Sequence, residues 1–203
     1  MFRYLGASVS GLIAAPIEAI WELVSDPSCH PQLAGSGEVR SVELVDHQPM
    51  GLGSVFHSQQ HMRGLSYVTA NRTVIWEPPF RFAWRVGFRF APGVAQIWMF
   101  SLTPEAGGTR VENAVALPYA LPTFFPFHVA HDEVGRREVA VMLPTLDNLA
   151  QLLGVLAPTA IRSSERAPAV LTALLPSPLL QGALMVGGGA TLLYTLVRPR
   201  RQR

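Results

Sequence analysis

Three groups of side chains in this 203-residue chain are of the right types to do chemistry. His57, Gln59 and His61 alternate along one run, so on a strand they share a face. The two imidazoles then stand about 13 Å apart, too far to share a metal ion. Facing a cavity, the three form a polar stripe able to orient a ligand carbonyl or hydroxyl, with His57 and His61 as acid/base candidates. Facing outward, they are the wet side of an amphipathic strand, and the pattern supports the two placements equally. His128, His131 and Asp132 lie near the start of a helical pattern. The i, i+3 imidazoles could share a side, but a metal site needs more ligands, and exposed residues favoured by the helix dipole account for them more simply. His128 remains a candidate general acid or base. Cys29, within Ser28-Cys29-His30-Pro31, reads as a small residue in the loop after the first helix, because adjacency does not place a base on the sulfur.

Whole reaction classes drop out. There is no lysine, hence no Schiff-base chemistry and no P-loop lysine. A nucleophile elbow, an HExxH motif and paired carboxylates are all missing, and no motif calls for a metal or cofactor. The single cysteine allows no intramolecular disulfide. Residues 1–154 carry 10 Arg against 13 Asp or Glu, a net of −3, while residues 155–203 carry 6 Arg and one acid, a net of +5. No basic stripe on the body tracks phosphates, so nucleic acid is not an expected partner. Apolar residues make up 49% of the chain and mean hydropathy is positive, so some apolar surface is expected to meet something other than water.

The elements that must position these groups are legible as runs. Residues 3–13 alternate like a strand, which suits them better than a cleaved leader, and Pro16 to Val24 forms an amphipathic helix with Ile17, Ile20, Trp21 and Val24 on one face. Asp26-Pro27 ends it. Six further strands are expected over 39–46, 54–62, 66–76, 81–90, 94–103 and 109–117, broken by Gly51-Leu52-Gly53, Pro78-Pro79, Pro92-Gly93 and Gly107-Gly108. In 81–89, Arg81, Arg85 and Arg89 share a wet face with Ala83 and Gly87, whereas Phe82, Trp84, Val86 and Phe88 face inward. After a proline-bounded connector over 118–126, the longest helical pattern runs from Phe127 to Leu153, with Val134, Val141, Leu146, Leu149, Leu152 and Leu153 at helical spacing and Gly154 as C-cap.

The chain resembles the polyketide cyclase/dehydrase and lipid-transport group of the START-like, or SRPBCC, superfamily over roughly residues 5–154. The resemblance rests on Ala14-Ala15-Pro16-Ile17-Glu18-Ala19-Ile20-Trp21-Glu22-Leu23-Val24-Ser25-Asp26, Gly51-Leu52-Gly53, Trp76-Glu77-Pro78-Pro79-Phe80-Arg81-Phe82, Leu102-Thr103-Pro104 and Gly107-Gly108-Thr109-Arg110-Val111. It departs from the family at Gln32-Leu33, where a tryptophan is common, and in its 49-residue tail. The resemblance implies an α+β helix-grip fold, a seven-stranded curved antiparallel sheet around a long C-terminal helix, enclosing a cavity for an apolar ligand. Ligand-binding residues are expected to be Phe82, Trp84, Val86, Trp98 and Phe100, with Val111, Asn113, His57 and Gln59. The expected function is binding or transport of a hydrophobic small molecule or lipid. The alternatives are a cyclase or dehydratase working through His57, His61 or His128, and an interaction module whose cavity is filled by its own side chains.

Beyond residues 1–154 the composition shifts. Residues 155–178 read as a linker rich in Ala, Pro, Ser and Thr. Residues 179–197 hold no charge, long enough for about 28 Å of helix, and Arg198-Pro199-Arg200-Arg201-Gln202-Arg203 follows as a basic tail. The uncharged run favours a membrane helix over a soluble helix packing on the domain, despite Gly187-Gly188-Gly189, since small residues are tolerated in lipid. The terminal arginines favour a cytoplasmic C-terminal end and Arg162 and Arg166 weakly favour the other, and a partly inserted or surface-lying segment would satisfy both. A cytoplasmic domain associated with membrane through this C-terminal apolar helix is therefore expected.

Overall fold

A computed structural model describes residues 2–45, 49–88, 96–124 and 126–175. Eight strands pair antiparallel: β1 (Phe2–Ile13), β2 (Val39–Leu44), β3 (Val55–Met62), β4 (Leu65–Glu77), β5 (Arg81–Phe88), β6 (Ile97–Glu105), β7 (Gly108–Pro122) and β8 (Thr159–Ser164). Their order is β2-β3-β4-β5-β6-β7-β1-β8. Four helices accompany them: α1 (Ile17–Ser25), the single turn α2 (His30–Leu33), α3 (Phe127–Leu152) and α4 (Ala169–Thr172). This is the expected helix-grip architecture, with one strand more than expected.

Local chemistry explains the elements around the concave face. In α1, Ile17, Ile20 and Val24 are buried on one side, and Pro16 occupies the N-cap. Asp26 then accepts the Ser28 N–H at 2.9 Å, starting a 3-10 turn over Pro27–Cys29 that leads into α2. The 26 residues of α3 span about 39 Å and bury Met142, Thr145, Leu146 and Leu149 against the sheet. Leu152, expected on the inner stripe, is exposed at the helix end instead. Gly154 terminates the helix at φ +67°: its N–H reaches the Gln151 carbonyl and that of Val155 reaches Ala150, both at 3.0 Å. Two bonds tie α2 and its exit to α3, Gly35 N–H to Thr145 Oγ1 at 3.0 Å and Asn148 Nδ2 to the Leu33 carbonyl at 3.2 Å.

Two expectations need correction. Residues 155–175 are more than a linker: β8 pairs with β1, Ser8 opposite Ser164 and Leu12 opposite Thr159, and α4 lies on the convex face. There Leu171 and Leu175 pack with Tyr4, Ala83, Ile97 and Met99 in a second apolar cluster. The face read as wet on β5 is therefore covered. Ala83 is fully buried, and Arg85 donates from Nη2 to the Leu174 carbonyl at 2.7 Å. Small residues permit this close approach: a Cβ at Gly6 would meet the Val115 carbonyl and stand 2.7 Å from Ala167 Cβ. Secondly, β7 runs five residues past Leu117. Its pairing with β6 ends at Ala116, so Pro118 and Pro122 interrupt no ladder on that side, while pairing with β1 continues to Phe2 opposite Pro122.

The uncharged run 179–197 and the basic tail lie outside the described residues, and among those described no helix is long and apolar enough to cross a membrane.

Candidate functional site

Between the concave face, α2 and α3 lies a cavity of about 410 Å³, within the range of small-molecule sites. Sheet parity builds its floor. Trp84 pairs across the strands with Trp98, and Phe82 with Phe100, so four aromatic residues share the concave side. The ring centroids of Phe82 and Trp84 are 4.9 Å apart at 25°, and those of Trp84 and Phe100 6.1 Å apart. The His30 ring lies tilted against Trp84 from α2, centroids 4.9 Å apart and planes at 35°.

One wall is polar. Ser58 and Thr69 face each other across β3 and β4, and Asn71 donates from Nδ2 to Ser58 Oγ at 2.9 Å and to the Phe56 carbonyl at 3.2 Å. All three are buried and line the cavity. Asn71→Ala is expected to destabilise the fold by about 1–3 kcal/mol, because Ser58 Oγ and the Phe56 carbonyl lose a buried donor. Thermal denaturation measures this, and a change within about 0.3 kcal/mol would show the network to be idle.

From α3 come Glu138, Val141 and Thr145. Glu138 is half-buried, and loss of solvent pushes its carboxyl above the ordinary range, opposed by the neighbouring Arg137 guanidinium. His30 is buried deeper. Loss of solvent drives its imidazole down to about 4, against the opposing pull of the Val24 carbonyl and Asp26.

Of the residues singled out from sequence, Trp84, Val86, Trp98, Phe100 and Asn113 line the cavity together. Phe82 and Val111 face the same side but are fully buried beneath it, in the core. His57, Gln59 and His61 stand on the opposite face. Phe56 and Ser58 are the buried residues of β3, and this sets the parity one residue away from the stripe. His57 lies between Glu43 and Ala70, and His61 Nδ1 is 3.0 Å from Ser66 Oγ at the hairpin. His128 is exposed in the first turn of α3, away from the cavity lining. His131, expected to be exposed, is buried, its Nε2 3.3 Å from the Leu121 carbonyl, which joins α3 to β7. Burial, then Arg3, lowers its pKa. Among the described residues no three His, Cys, Asp or Glu side chains converge as metal ligands. Burial and Asp26 raise the Cys29 thiol, which keeps it protonated.

Sequence reasoning passed over His30, Ser58, Thr69, Asn71 and Glu138. A signal existed for two strands: Phe56-Ser58-Gln60-Met62 is the complementary parity of β3, and Thr69-Asn71-Thr73 continues it on β4. None existed for His30, which a single turn of helix carries inward.

A family model described as polyketide cyclase/dehydrase and lipid transport matches residues 6–154. Among solved structures, a START superfamily protein from Mycobacterium smegmatis is similar at a TM-score of 0.55 and 16% identity, covering 73% of this chain and 99% of its own. A Rhodobacter sphaeroides protein is similar at 0.53 and 19%, covering 76% and 98%, and a Nitrosomonas europaea protein at 0.51 and 16%, covering 74% and 94%. At these identities the likeness is one of fold. Among curated proteins none matches the chain.

Proposed function

This chain belongs to the polyketide cyclase/dehydrase and lipid transport family, a START-like group, and from that premise we propose that it binds and carries a hydrophobic small molecule or lipid, held at the membrane by residues 179–197. The observation that carries the reading is the cavity, whose aromatic floor of Trp84, Trp98 and Phe100 offers an apolar ligand release from water, while Ser58, Asn71 and Asn113 fix its orientation. Residues 179–197, without a charge and followed by four arginines, support the tether and a cytoplasmic C-terminal end. A second reading, a cyclase or dehydratase acting on a polyketide-like substrate, gains support from Glu138, whose raised carboxyl borders the cavity as a proton donor or acceptor.

Native mass spectrometry and lipid analysis of the full chain, purified from a bacterial host, test the carrier. The expected result is a co-purified apolar molecule at about one per chain, with the full chain in the membrane fraction and a chain ended at Leu175 out of it. Empty protein that takes up no added lipid removes the carrier reading. Equal partitioning of both chains removes the tether.

A further inference from the structure

The stripe of His57, Gln59 and His61 lies on the convex face, apart from the cavity, and two arginines continue it there. Asn71 and Trp84 line the cavity, so their strand neighbours Arg72 and Arg85 point the opposite way. Register sets these two directly across from each other on β4 and β5, which brings their Cβ atoms to about 5 Å. Like charges placed so repel, and neither has an ion-pair partner among the described residues. The carboxylates on this face do not cancel them. Glu77 is taken by Arg81 at 2.7 Å, and Glu43 sits two strands from Arg72, across from His57 on the edge strand β2. Arg72 is exposed and Arg85 half-buried, so an anion arriving from outside can meet the pair, and phosphate oxygens suit the fork of a guanidinium.

The place where the described chain ends selects the anion. α4 crosses the convex face against β6 and β7, and Arg85 Nη2 donates at 2.7 Å to the carbonyl of Leu174, one residue before Leu175. From Leu175 to residue 179, where the uncharged run begins, four steps of chain reach at most about 14 Å. The headgroup layer takes about 5–8 Å of that reach. With the run in a bilayer, the point where the chain leaves Arg85 is therefore held within about one screening length of the lipid surface. Two guanidiniums are too few to follow a nucleic acid, whose binding needs a track of phosphate contacts. Resting on the tether reading above, we propose that the convex face of β3, β4 and β5 is a second membrane contact, on which Arg72 and Arg85 dock to the headgroups of anionic phospholipids. His57, Gln59 and His61 are polar contacts beside them, and the domain lies flat on the bilayer rather than swinging from its anchor.

Arginine footprinting of the full chain tests this. The protein is reconstituted with vesicles of phosphatidylcholine, either alone or in a two-to-one mixture with phosphatidylglycerol, floated, and modified with phenylglyoxal, and peptide mass spectrometry reads each arginine. Arg72 is expected to react at least about fivefold more slowly on the anionic vesicles than on the neutral ones, the ratio that one arginine sustains at such a surface. The exposed Arg136, carried by α3 on the layer opposite the convex face, is expected to keep one rate on both. In about 1 M NaCl, where the screening length falls to about 3 Å, the protection of Arg72 is expected to vanish. Protein that floats with both vesicles but shows one Arg72 rate overturns the docking face and leaves the tether standing. An equally slow rate on both overturns it as well, and points to a second copy or the tail as the cover. Protein that floats only with anionic vesicles, with Arg72 protected, keeps the docking face and removes the tether. Protein that floats with neither removes both.

Discussion

A chain ended at Gly154 is expected to be about 5 kcal/mol less stable than one ended at Leu175, against a total of about 5–15 kcal/mol for an ordinary domain. The shorter chain loses Leu171 and Leu175, both buried on the convex face, and each leucine taken out of water contributes about 1.5–3 kcal/mol. It also removes part of the apolar cluster around the buried Ile97 and Met99, and the acceptor for Arg85. Urea unfolding of the two chains measures the difference. Midpoints that coincide would mean that the back of the sheet needs no cover. Leu171→Ala in the longer chain isolates one part of the effect, at about 2–4 kcal/mol.

Acid should unfold the protein earlier than its carboxylates alone require, because of His30. The unfolded chain takes up a proton there near pH 6.5, whereas the folded chain, with the imidazole buried against Trp84, resists until about pH 4. Between those values unfolding binds a proton, so stability rises with pH. It is unaffected by this group above the window, drops by about 1.4 kcal/mol per pH unit inside it, and has lost about 3 kcal/mol at its lower end. His131, lowered in the same sense, adds to the wild-type slope. His30→Phe isolates the first contribution: the variant shifts the whole stability curve, but its slope between pH 6.5 and 5 should be shallower than wild type by about the stated amount. Parallel curves would show that His30 is solvated in the folded state.

What the sequence disclosed follows from how periodicity works. Alternation of Phe82, Trp84 and Val86 is unambiguous because bulky aromatics fall on one parity and arginines on the other, and three of the aromatic wall residues follow from it. The same logic misplaces β3, where His57, Gln59 and His61 on one parity and Ser58 and Gln60 on the other are both polar. Only the burial of Phe56 decides between them. β8 escaped because a strand with all six residues exposed has no hydrophobic alternation to read; its place comes from backbone pairing with β1 alone. The convex face was read as wet since arginines flank Ala83, yet its small residues are what allow α4 to approach. Gly154 needed only local information, for the helix cap is a bonding pattern within six residues.

The pairing of β8 with β1 also bears on how copies of this protein behave when crowded. β1 is twelve residues long, and from Tyr4 to Ala7 and again at Val9, Gly11 and Ile13 its residues are buried. As the last strand of the sheet it would offer neighbouring molecules a row of open backbone groups on an apolar ribbon, the kind of rim that recruits strands from other chains. β8 moves that rim outward onto a short segment carrying Arg162 and two serines, with every residue already in contact with water. Six unremarkable residues thus act as a colloidal guard. Proteolytic loss of the segment should be followed by self-association as well as by softening, and light scattering would register the association before any ligand assay changed.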